Sequence, residues 1–261
     1  MATFDELYGA RLDRELGTDD RTVLFTTARR KTAINEAVVE FQDATECLQR
    51  QSTVALAGGT AEYDLNSTAV IAGGDFSRFT KEQVQFRYTD AAGVVTVLAG
   101  DDLPRRDVEW LNRYRPGWQV STVASSVLQW PQIYYERTDG GHRYLGFWPT
   151  PSTGSSASMV AIVPYLAQPA VLTSDTAEPF TVGGVVRTDL RPFHQGLVHK
   201  AASLLERFRR DAEMEQKQHE QFLTYVTRYI AEKRIKGGQL LTTAYDYFRR
   251  RSSDQGEDPR R

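Results

Sequence analysis

Cysteine is nearly absent from this 261-residue sequence, which contains only Cys47. One cysteine cannot form an internal disulfide or a cysteine-rich zinc site, and it fits a reducing compartment. Long apolar runs are also missing, since no stretch reaches the roughly 18 apolar residues of a membrane-spanning helix. The first residues, MATFDELYGARLDREL, lack the apolar centre of a signal peptide. We therefore expect neither secretion by that route nor a membrane-spanning segment.

An excess of either charge is missing too. Lys and Arg total 32 against 34 for Asp and Glu, so the net charge is −2. Such a balance gives no overall field that would attract nucleic acid or a membrane surface, and any such contact has to be local. The 40% apolar and 25% charged content is ordinary for a folded protein and excludes disorder throughout.

Three common catalytic and nucleotide-binding motifs are missing from the sequence. The sequence contains no Gly-X-Ser-X-Gly elbow, no Gly-X-X-X-X-Gly-Lys-Ser/Thr phosphate loop and no Gly-X-Gly-X-X-Gly fingerprint. His194 and His199 are separated by about 140° around a helix, so they cannot bind one metal ion from one face. We predict that the protein is not an enzyme, and we predict no catalytic, cofactor-binding or metal site.

Two acidic pairs, Asp19-Asp20 and Asp101-Asp102, are the remaining candidates for acid/base chemistry. Both pairs come directly before predicted helices. Carboxylates at such positions accept hydrogen bonds from free N–H groups and meet the positive end of the helix dipole. We therefore predict that both pairs cap helices.

Residues 1–51 are predicted to hold the N-terminal helices of a helical core. Residues 4–16 have the pattern of a short amphipathic helix. From residue 21 to residue 51 there is no Gly or Pro, and apolar residues recur at spacings of three and four between Ile34 and Leu48. This spacing predicts a second helix with one buried stripe.

Residues 52–188 are predicted to form an inserted β-rich domain with a short helix near 104–114. The apolar pattern changes to a period of two, and turn residues predict hairpins around residues 57–60, 90–93 and 139–141. The third of these, PQIYYERTDGGHRYLGFWPTPS at 131–152, is rich in aromatic residues. A further strand is predicted at 157–166. With the helices, these strands predict an α+β fold with an antiparallel sheet.

Residues 189–238 are predicted to form a long helix that completes the helical core. A single helix from residue 193 to residue 235 would span roughly 64 Å. A compact globule of this size is only about 47 Å across. Either the helix bends at the charged stretch 209–221, or neighbouring subunits cover it. On the second alternative, we predict subunit contacts through four residues: Phe222, Val226, Ile230 and Trp148.

The aromatic residues of the third hairpin have two possible roles. Alternation along the strands sends about half of them inward, and aromatic pairs across a hairpin commonly build a core. They could also form a stacking platform for sugars, which makes a carbohydrate-binding β-domain the alternative. The residues concerned are Trp130, Tyr134, Tyr135, Tyr144, Phe147 and Trp148.

The C-terminal segment 239–261 is predicted to be an extended tail with an adhesive part. Aromatic residues next to arginines are enriched at protein interfaces, and they also suit nucleic acid. A solvated tail is the third possibility. The residues with this character are Tyr245, Tyr247, Phe248, Arg249, Arg250 and Arg251.

The order of these features resembles a known family. The stretches AINEAVVEFQDAT, ALAGGTAEYDL, PQIYYER with GFWPTPS, VPYLAQPAVLTSD and RPFHQGLVHKAASLLERF follow one another as in the head-tail adaptor proteins, or connectors, of tailed bacteriophages. The resemblance covers about residues 20 to 235, and the helix at 4–16 lies outside it.

This resemblance implies a structural virion protein, assembled in the host cytoplasm, that forms a ring, usually of twelve copies, at the neck. Such a ring contacts the portal protein on one side and tail, stopper or tail-terminator proteins on the other. It leaves a channel through which DNA passes without sequence-specific binding. The tail residues from Tyr245 to Arg251 would contact the portal. The alternative then becomes a carbohydrate-binding β-domain protein of a phage tail or baseplate.

Overall fold

The computed structural model describes residues 3–17, 25–71, 73–80, 83–118, 129–152, 158–182 and 184–237. It confirms the predicted α+β class with antiparallel sheets and a long helix near the C-terminus. The chain divides into two compact units. A helical unit contains Met1–Leu48 and Pro169–Arg261, and a β unit contains Gln49–Gln168. Residues 169–188, which were assigned to the inserted domain, therefore belong to the helical unit.

The N-terminal helix predicted at 4–16 is confirmed, as three consecutive segments. These are α1 (Phe4–Glu6), a π-helical turn (Leu7–Arg11) and α2 (Leu12–Leu16). Thr3 and Glu6 form a capping box at its start, and Gly17 ends it in the left-handed conformation with φ 62°. Its apolar side is buried, which fixes this segment on the helical unit.

The next helix, α3 (Thr27–Thr45), is shorter than the predicted 21–51. The side chain of Thr26 caps it, and Glu46 stops it in the left-handed conformation with φ 50°. Residues 49–51 already belong to a strand, which begins directly after this turn. The predicted buried stripe is confirmed, since Ile34, Phe41 and their apolar neighbours are buried.

The segment predicted as one long helix is two helices, so the single-helix alternative is wrong. A 3₁₀ segment (Thr188–Phe193) leads into α5 (His194–Arg209), and α6 (Ala212–Gly237) follows. Between them Arg210 has φ 60°, and the carboxylate of Asp211 accepts a hydrogen bond from the backbone N–H of Met214 at 3.1 Å. The chain thus turns back at its charged stretch, as the other alternative proposed.

The two helices form an antiparallel hairpin that packs on α3. Gly196 lies so close to Tyr225 that an added Cβ would be 2.8 Å from the Tyr225 Cβ. Phe41 of α3 lies at the centre of the core, with four aromatic rings at 5.4 to 6.3 Å: Phe180, Phe193, Phe222 and Tyr229. A short hairpin of β10 (Thr181–Val182) and β11 (Val185–Val186) belongs to the same unit.

The β unit contains two sheets. In the first, β9 (Ser158–Ala167) is central and pairs along one edge with β1 (Gln49–Leu56). Along its other edge it pairs with β3 (Phe76–Phe79) and β4 (Gln85–Thr89), and β4 pairs with β5 (Val95–Leu98). All these pairings are antiparallel. The predicted strand at 157–166 and the hairpin around residues 90–93 are confirmed.

The second sheet has the order β2-β8-β7-β6. Its members are β2 (Glu62–Asp64), β6 (Arg105–Arg106), β7 (Ile133–Asp139) and β8 (His142–Trp148). The aromatic hairpin is confirmed as β7–β8, because Asp139 is directly opposite His142 across a turn in which Gly140 and Gly141 have positive φ. Helix α4 (Val108–Tyr114) follows β6.

Two predictions about this unit are wrong. The hairpin around residues 57–60 does not form, because β1 pairs with β9 and β2 pairs with β8 in the other sheet. The pair Asp101-Asp102 does not cap a helix of the predicted kind, since it lies in a 3₁₀ turn (Gly100–Asp102). Asp107 caps α4 instead, with its carboxylate 2.6 Å from the backbone N of Trp110.

Candidate interaction surfaces

The residues predicted to contact a partner are the six tail residues between Tyr245 and Arg251, the stripe of the C-terminal helix, and Trp148. The tail residues lie outside the described residues, and so does the pair Asp19-Asp20, which was predicted to cap a helix. Phe222, Val226 and Ile230 are buried inside the helical unit, with 1, 1 and 6% of their surface exposed. The chain therefore covers this stripe itself, and the argument that a neighbour must do so no longer applies.

The aromatic residues of the third hairpin mostly form core. Tyr134, Tyr135 and Phe147 are buried. The ring of Tyr135 covers Gly146 on the neighbouring strand, where an added Cβ would lie 2.1 Å from the ring carbon Cζ. The aromatic side chains that stay half-buried are Trp130, Tyr144 and Trp148. No flat platform of six rings exists in this hairpin.

Trp148 packs against the core cluster of α4 and lies beside a polar cleft. In this cleft the carboxylate of Glu62 accepts two hydrogen bonds from Arg137, at 2.7 and 3.1 Å, and a third from the hydroxyl of Tyr135 at 3.1 Å. Burial, and then the charge of Glu62, raise the pKa of Tyr135 well above its ordinary value. The three side chains satisfy one another, so this wall of the cleft is a structural clamp.

The buried ionisable groups of the helical unit are structural. Burial raises the pKa of the Cys47 thiol to about 12, which disfavours the thiolate, and the thiol donates a hydrogen bond to Gln42 at 3.2 Å. Burial lowers the pKa of His194 to about 4, and neither ring nitrogen has a hydrogen-bond partner among the described residues. In the described ranges no three metal-ligating side chains lie together.

One open surface of the helical unit is a groove between α3 and the loop at residues 169–171, here called the acidic groove. Its lining combines three carboxylates, of Glu36, Glu40 and Asp43, with Val39 and Val171. Val171 is 69% exposed and Val39 46%. Lys200 pairs with Glu40 at 2.8 Å, and Asp43 also has an interaction partner. Among the described residues that line the groove there is no lysine or arginine, so the groove combines exposed aliphatic side chains with carboxylates.

The loop wall of this groove is preformed. Asn35, on α3, donates a hydrogen bond to the carbonyl oxygen of Leu172 at 3.2 Å and accepts one from its N–H at 2.8 Å. Both polar groups of one side chain thus hold one loop residue. The wall does not depend on a ligand or a neighbour for its position.

Three arginines lie on or next to α4, Arg106, Arg113 and Arg115, and together with Trp110 and Tyr114 they are here called the arginine face. The cleft beside Arg106 and Trp110 is also lined by the carboxylates of Asp107 and Glu136. Arg106 stacks on Trp110 at 5.4 Å, and the ring of Tyr114 lies 5.4 Å from that of Trp110. Tyr114 is 55% exposed.

These three arginines are not neutralised locally. Arg115 stacks on Trp148 at 5.0 Å, and none of the three forms an ion pair with a carboxylate among the described residues. The neighbouring Arg105 does pair, with Glu136 at 2.6 Å. Residues 105–115 contain four arginines against Asp107 and Glu109, and Glu136 adds a third carboxylate beside Arg105.

Sequence reasoning missed both surfaces. The sequence does contain a signal for the acidic groove. Glu36, Val39 and Asp43 recur at spacings of three and four on the side of α3 opposite its buried stripe. Val39 is an apolar residue on this otherwise charged side. The signal for the arginine face is weaker. It is the run RRDVEWLNRYR, and the sequence does not show which of its arginines pair with distant carboxylates.

Among known proteins, the model of the SU10 adaptor protein family matches residues 2–250. The match includes both units, the N-terminal helix at 4–16 and most of the C-terminal segment, so it is longer than the resemblance that the sequence motifs indicated. No curated protein matches the chain. In the described residues, none of the helices combines the length and apolarity that crossing a bilayer requires.

Proposed function

We propose that this chain, a phage structural adaptor that belongs to the SU10 adaptor protein family, forms a ring at the neck of the virion between the portal and the tail or stopper proteins. The ring has twelve copies, assembles in the host cytoplasm and encloses the channel through which DNA passes. The family is a structural one and not an enzyme class.

The observation that carries this proposal is the extent of the family match. One family model spans the helical unit, the inserted β unit and the chain up to residue 250. The adaptor role is therefore assigned to the whole chain and not to one of its two units. The exposed groove and the arginine face support a role in assembly, because charged and aromatic surfaces of this kind suit protein partners.

The portal contact is proposed for the tail residues Tyr245, Tyr247 and Phe248 with the three arginines that follow. Large aromatic side chains bury much surface in a pocket, and arginine forms bidentate pairs with carboxylates. Both residue types are enriched among the side chains that dominate binding energy. This segment follows the last described residue, Gly237, and lies mostly within the family match.

Passage of DNA requires a channel that does not hold it. Each phosphate contact adds affinity that depends on salt, and many contacts would retard the genome. The net charge of −2 is compatible with a wall of low affinity and with the absence of sequence-specific binding.

Electron microscopy of the purified protein, alone and mixed with portal, tests the proposal. We expect rings of twelve docked on the portal. Deletion of residues 245–251 should abolish portal association and leave the thermal unfolding curve unchanged, whereas a matched deletion of residues 252–258 should leave association intact. A chain that stays monomeric alone and with portal would contradict the ring, and an unaffected 245–251 deletion would contradict the tail assignment.

Little in the structure supports the carbohydrate-binding alternative. Burial of Tyr134, Tyr135 and Phe147 removes half of the predicted platform, and the half-buried Trp148 lies beside a clamp whose polar groups are already paired. Retention of the intact protein on immobilised glycans that is lost in Trp148→Ala, together with no association between the wild type and portal, would favour this alternative over the adaptor ring.

A further inference from the structure

We propose that the acidic groove of a free subunit holds residues 245–251 of the same chain, here called the basic tail segment, and releases them when the portal binds them. The occupant of the groove is therefore the chain's own tail. Release by the portal rests on the proposed function, because it needs the tail to be the portal contact. Occupation of the groove concerns the helical unit alone.

Helices α3 and α6 end at the same side of the helical unit. Near the start of α3, Arg29 stacks on Phe208, which is near the end of α5, at 6.0 Å. Further along α3, Glu40 pairs with Lys200, near the start of α5, at 2.8 Å. Helix α5 therefore runs antiparallel to α3. Because α6 reverses the direction of α5, it runs parallel to α3.

The described chain stops beside the last turns of α3. The rings of Phe41 and Tyr229 lie 5.9 Å apart, which places α6 against the buried stripe of α3. One turn further along α6, burial lowers the pKa of Lys233, and the charge of Glu46, the residue after α3, opposes this shift. Helix α6 ends four residues later, at Gly237. The tail therefore starts near the C-terminal end of α3.

The connecting residues are long enough to reach the groove. Residues 238–244 can span at most about 25 Å. The groove is on the side of α3 opposite its buried stripe, and half the circumference of a helix about 10–12 Å in diameter is about 16–19 Å. The α3 wall of the groove, from Thr32 to Asp43, is about 17 Å long, and Asp43 is its near end. The basic tail segment can therefore lie along this wall.

The apolar part of the groove suits the aromatic residues of the segment. Val39 is 46% exposed and Val171 69%. The groove has a volume of about 670 Å³, within the range of about 300–1,000 Å³ that is usual for ligand pockets. Burying an aromatic ring there removes apolar surface from water on both sides of the contact. Two hydrogen bonds already hold the loop wall, so docking does not have to order it.

The charge match is smaller and depends on one open carboxylate. Glu40 is paired with Lys200 and Asp43 has an interaction partner, so neither counts as open. Glu36 is exposed and forms no ion pair among the described residues. The basic tail segment contains three arginines and one aspartate, and residues 32–49 contain no lysine or arginine that would repel it. An exposed ion pair contributes only about 0.2–1 kcal/mol, so apolar burial has to supply most of the affinity.

The covalent connection favours the chain's own tail over other occupants. A group joined through a short connection has an effective concentration of millimolar order. At about 1 mM, a contact with an intrinsic Kd of about 0.1 mM is occupied about 90% of the time, whereas separate chains at micromolar concentration hardly form it. The portal would then find about a tenth of the tails free, and its apparent affinity would be about tenfold lower.

Cysteine cross-linking of the intact chain measures occupation of the groove. A chain with Val39→Cys and Asp246→Cys keeps the aromatic residues and arginines of the segment and should form an internal disulfide under oxidation. The native Cys47 is 2% exposed and should stay unreacted. The control chain carries Glu213→Cys with Asp246→Cys, because Glu213 is exposed at the opposite end of α6 from Gly237. It should link at least ten times more slowly.

Two results of the cross-linking would overturn the inference. Equal rates in the two chains would mean that the tail meets the groove only by random collision. A disulfide-linked dimer in place of the internal link would mean that the tail of another copy occupies the groove.

A groove variant tests the contacts. Glu36→Lys with Val171→Lys removes the open carboxylate and part of the apolar surface and adds two positive charges. Linking should slow at least fivefold, and the variant without added cysteines should bind portal about five to ten times more tightly than the wild type. Glu213→Lys with Val185→Lys makes the same changes at exposed positions outside the groove and should behave as the wild type does.

Reversing the tail charges distinguishes a lost contact from a misfolded variant. Arg249→Glu, Arg250→Glu and Arg251→Glu, added to the groove variant of the cross-linking chain, should restore at least half of the original linking rate. Failure of this rescue, with thermal unfolding like that of the wild type, would overturn the inference.

The portal measurements separate this inference from the proposed function. Absence of portal association in the wild type and in both variants would refute the proposed function and release by the portal, while cross-linking, which needs no portal, still decides occupation of the groove. If the wild type binds portal and the groove variant binds no more tightly, release by the portal is refuted. Loss of portal association in the groove variant would assign the groove to the portal and overturn the inference.

Discussion

Replacing Gly146 by alanine should destabilise the β unit strongly, because the ring of Tyr135 occupies the space of the new methyl group. Gly146 lies in β8 directly opposite Tyr135 in β7. An added Cβ would lie 2.1, 2.4 and 2.5 Å from Cζ, Cε2 and the hydroxyl oxygen of Tyr135. Ordinary contact begins near 3.4 Å, so the ring has to move by more than about 1 Å.

Two costs follow from this displacement. Overpacking a core costs about 1–3 kcal/mol. Moving the ring also breaks the hydrogen bond from the Tyr135 hydroxyl to the Glu62 carboxylate, and a hydrogen bond to a charged group contributes about 1.5–3 kcal/mol. The sum is about 2.5–6 kcal/mol, which lowers the melting temperature of a unit of this size by about 10–25 °C.

Thermal unfolding and urea unfolding of the intact chain measure this loss, and a double-mutant cycle assigns it. In the Tyr135→Leu background the ring is gone, so adding Gly146→Ala should cost less than about 1 kcal/mol more. A Gly146→Ala protein within 1 kcal/mol of the wild type, or an equal loss in both backgrounds, would refute the reasoning. It would mean that the strand tolerates a side chain at this position.

The other predictions concern pH, the helix break and salt. Because the folded pKa of His194 is lowered to about 4 from 6.5, stability is full above pH 6.5 and falls by about 3 kcal/mol as the pH drops toward 4. Urea unfolding at pH 7 and 4.5 should show a smaller loss of unfolding free energy in His194→Leu than in the wild type. Equal losses in both proteins would contradict the prediction. Arg210→Gly should raise the free energy of unfolding by about 0.5–1 kcal/mol, and with it the urea midpoint, because Arg210 has φ 60°, and a lower midpoint would argue against this conformation. Rings should weaken as NaCl rises from 0.05 to 0.5 M if their contact is charged, as light scattering would show, and rings that strengthen with salt would indicate an apolar contact.

The sequence could predict those elements whose formation depends on neighbouring residues in the chain. The β7–β8 hairpin was predictable because Asp139-Gly140-Gly141 supplies the positive φ values of a tight turn between two strands. The failed hairpin at 57–60 has similar turn residues. Its strands pair instead with β9 and β8, which lie far along the chain, and a short-range pattern carries no information about such partners.

The break between α5 and α6 shows a second limit. It contains neither Gly nor Pro, and helix formers continue on both sides. The signal was Asp211, whose side chain caps α6, next to Arg210 in a conformation that non-glycine residues rarely adopt. Gly196 has low helix propensity, but it is needed for the close contact with Tyr225.

The break between α5 and α6 removes the need for neighbouring subunits to cover an apolar helix. A single rod would have needed neighbours to cover its apolar stripe, which gives an obligate and largely apolar interface. Because the hairpin of α5 and α6 buries Phe222 and Val226 within one chain, each subunit can fold before it meets another. In the proposed ring, the contacts between subunits would then fall to side chains that stay exposed after folding. Among the described residues these include charged groups and also aliphatic ones, such as Val94 and Val95 of the β unit, which are 60 and 55% exposed, so a neighbour would bind surfaces of a folded subunit and would not have to cover an open core.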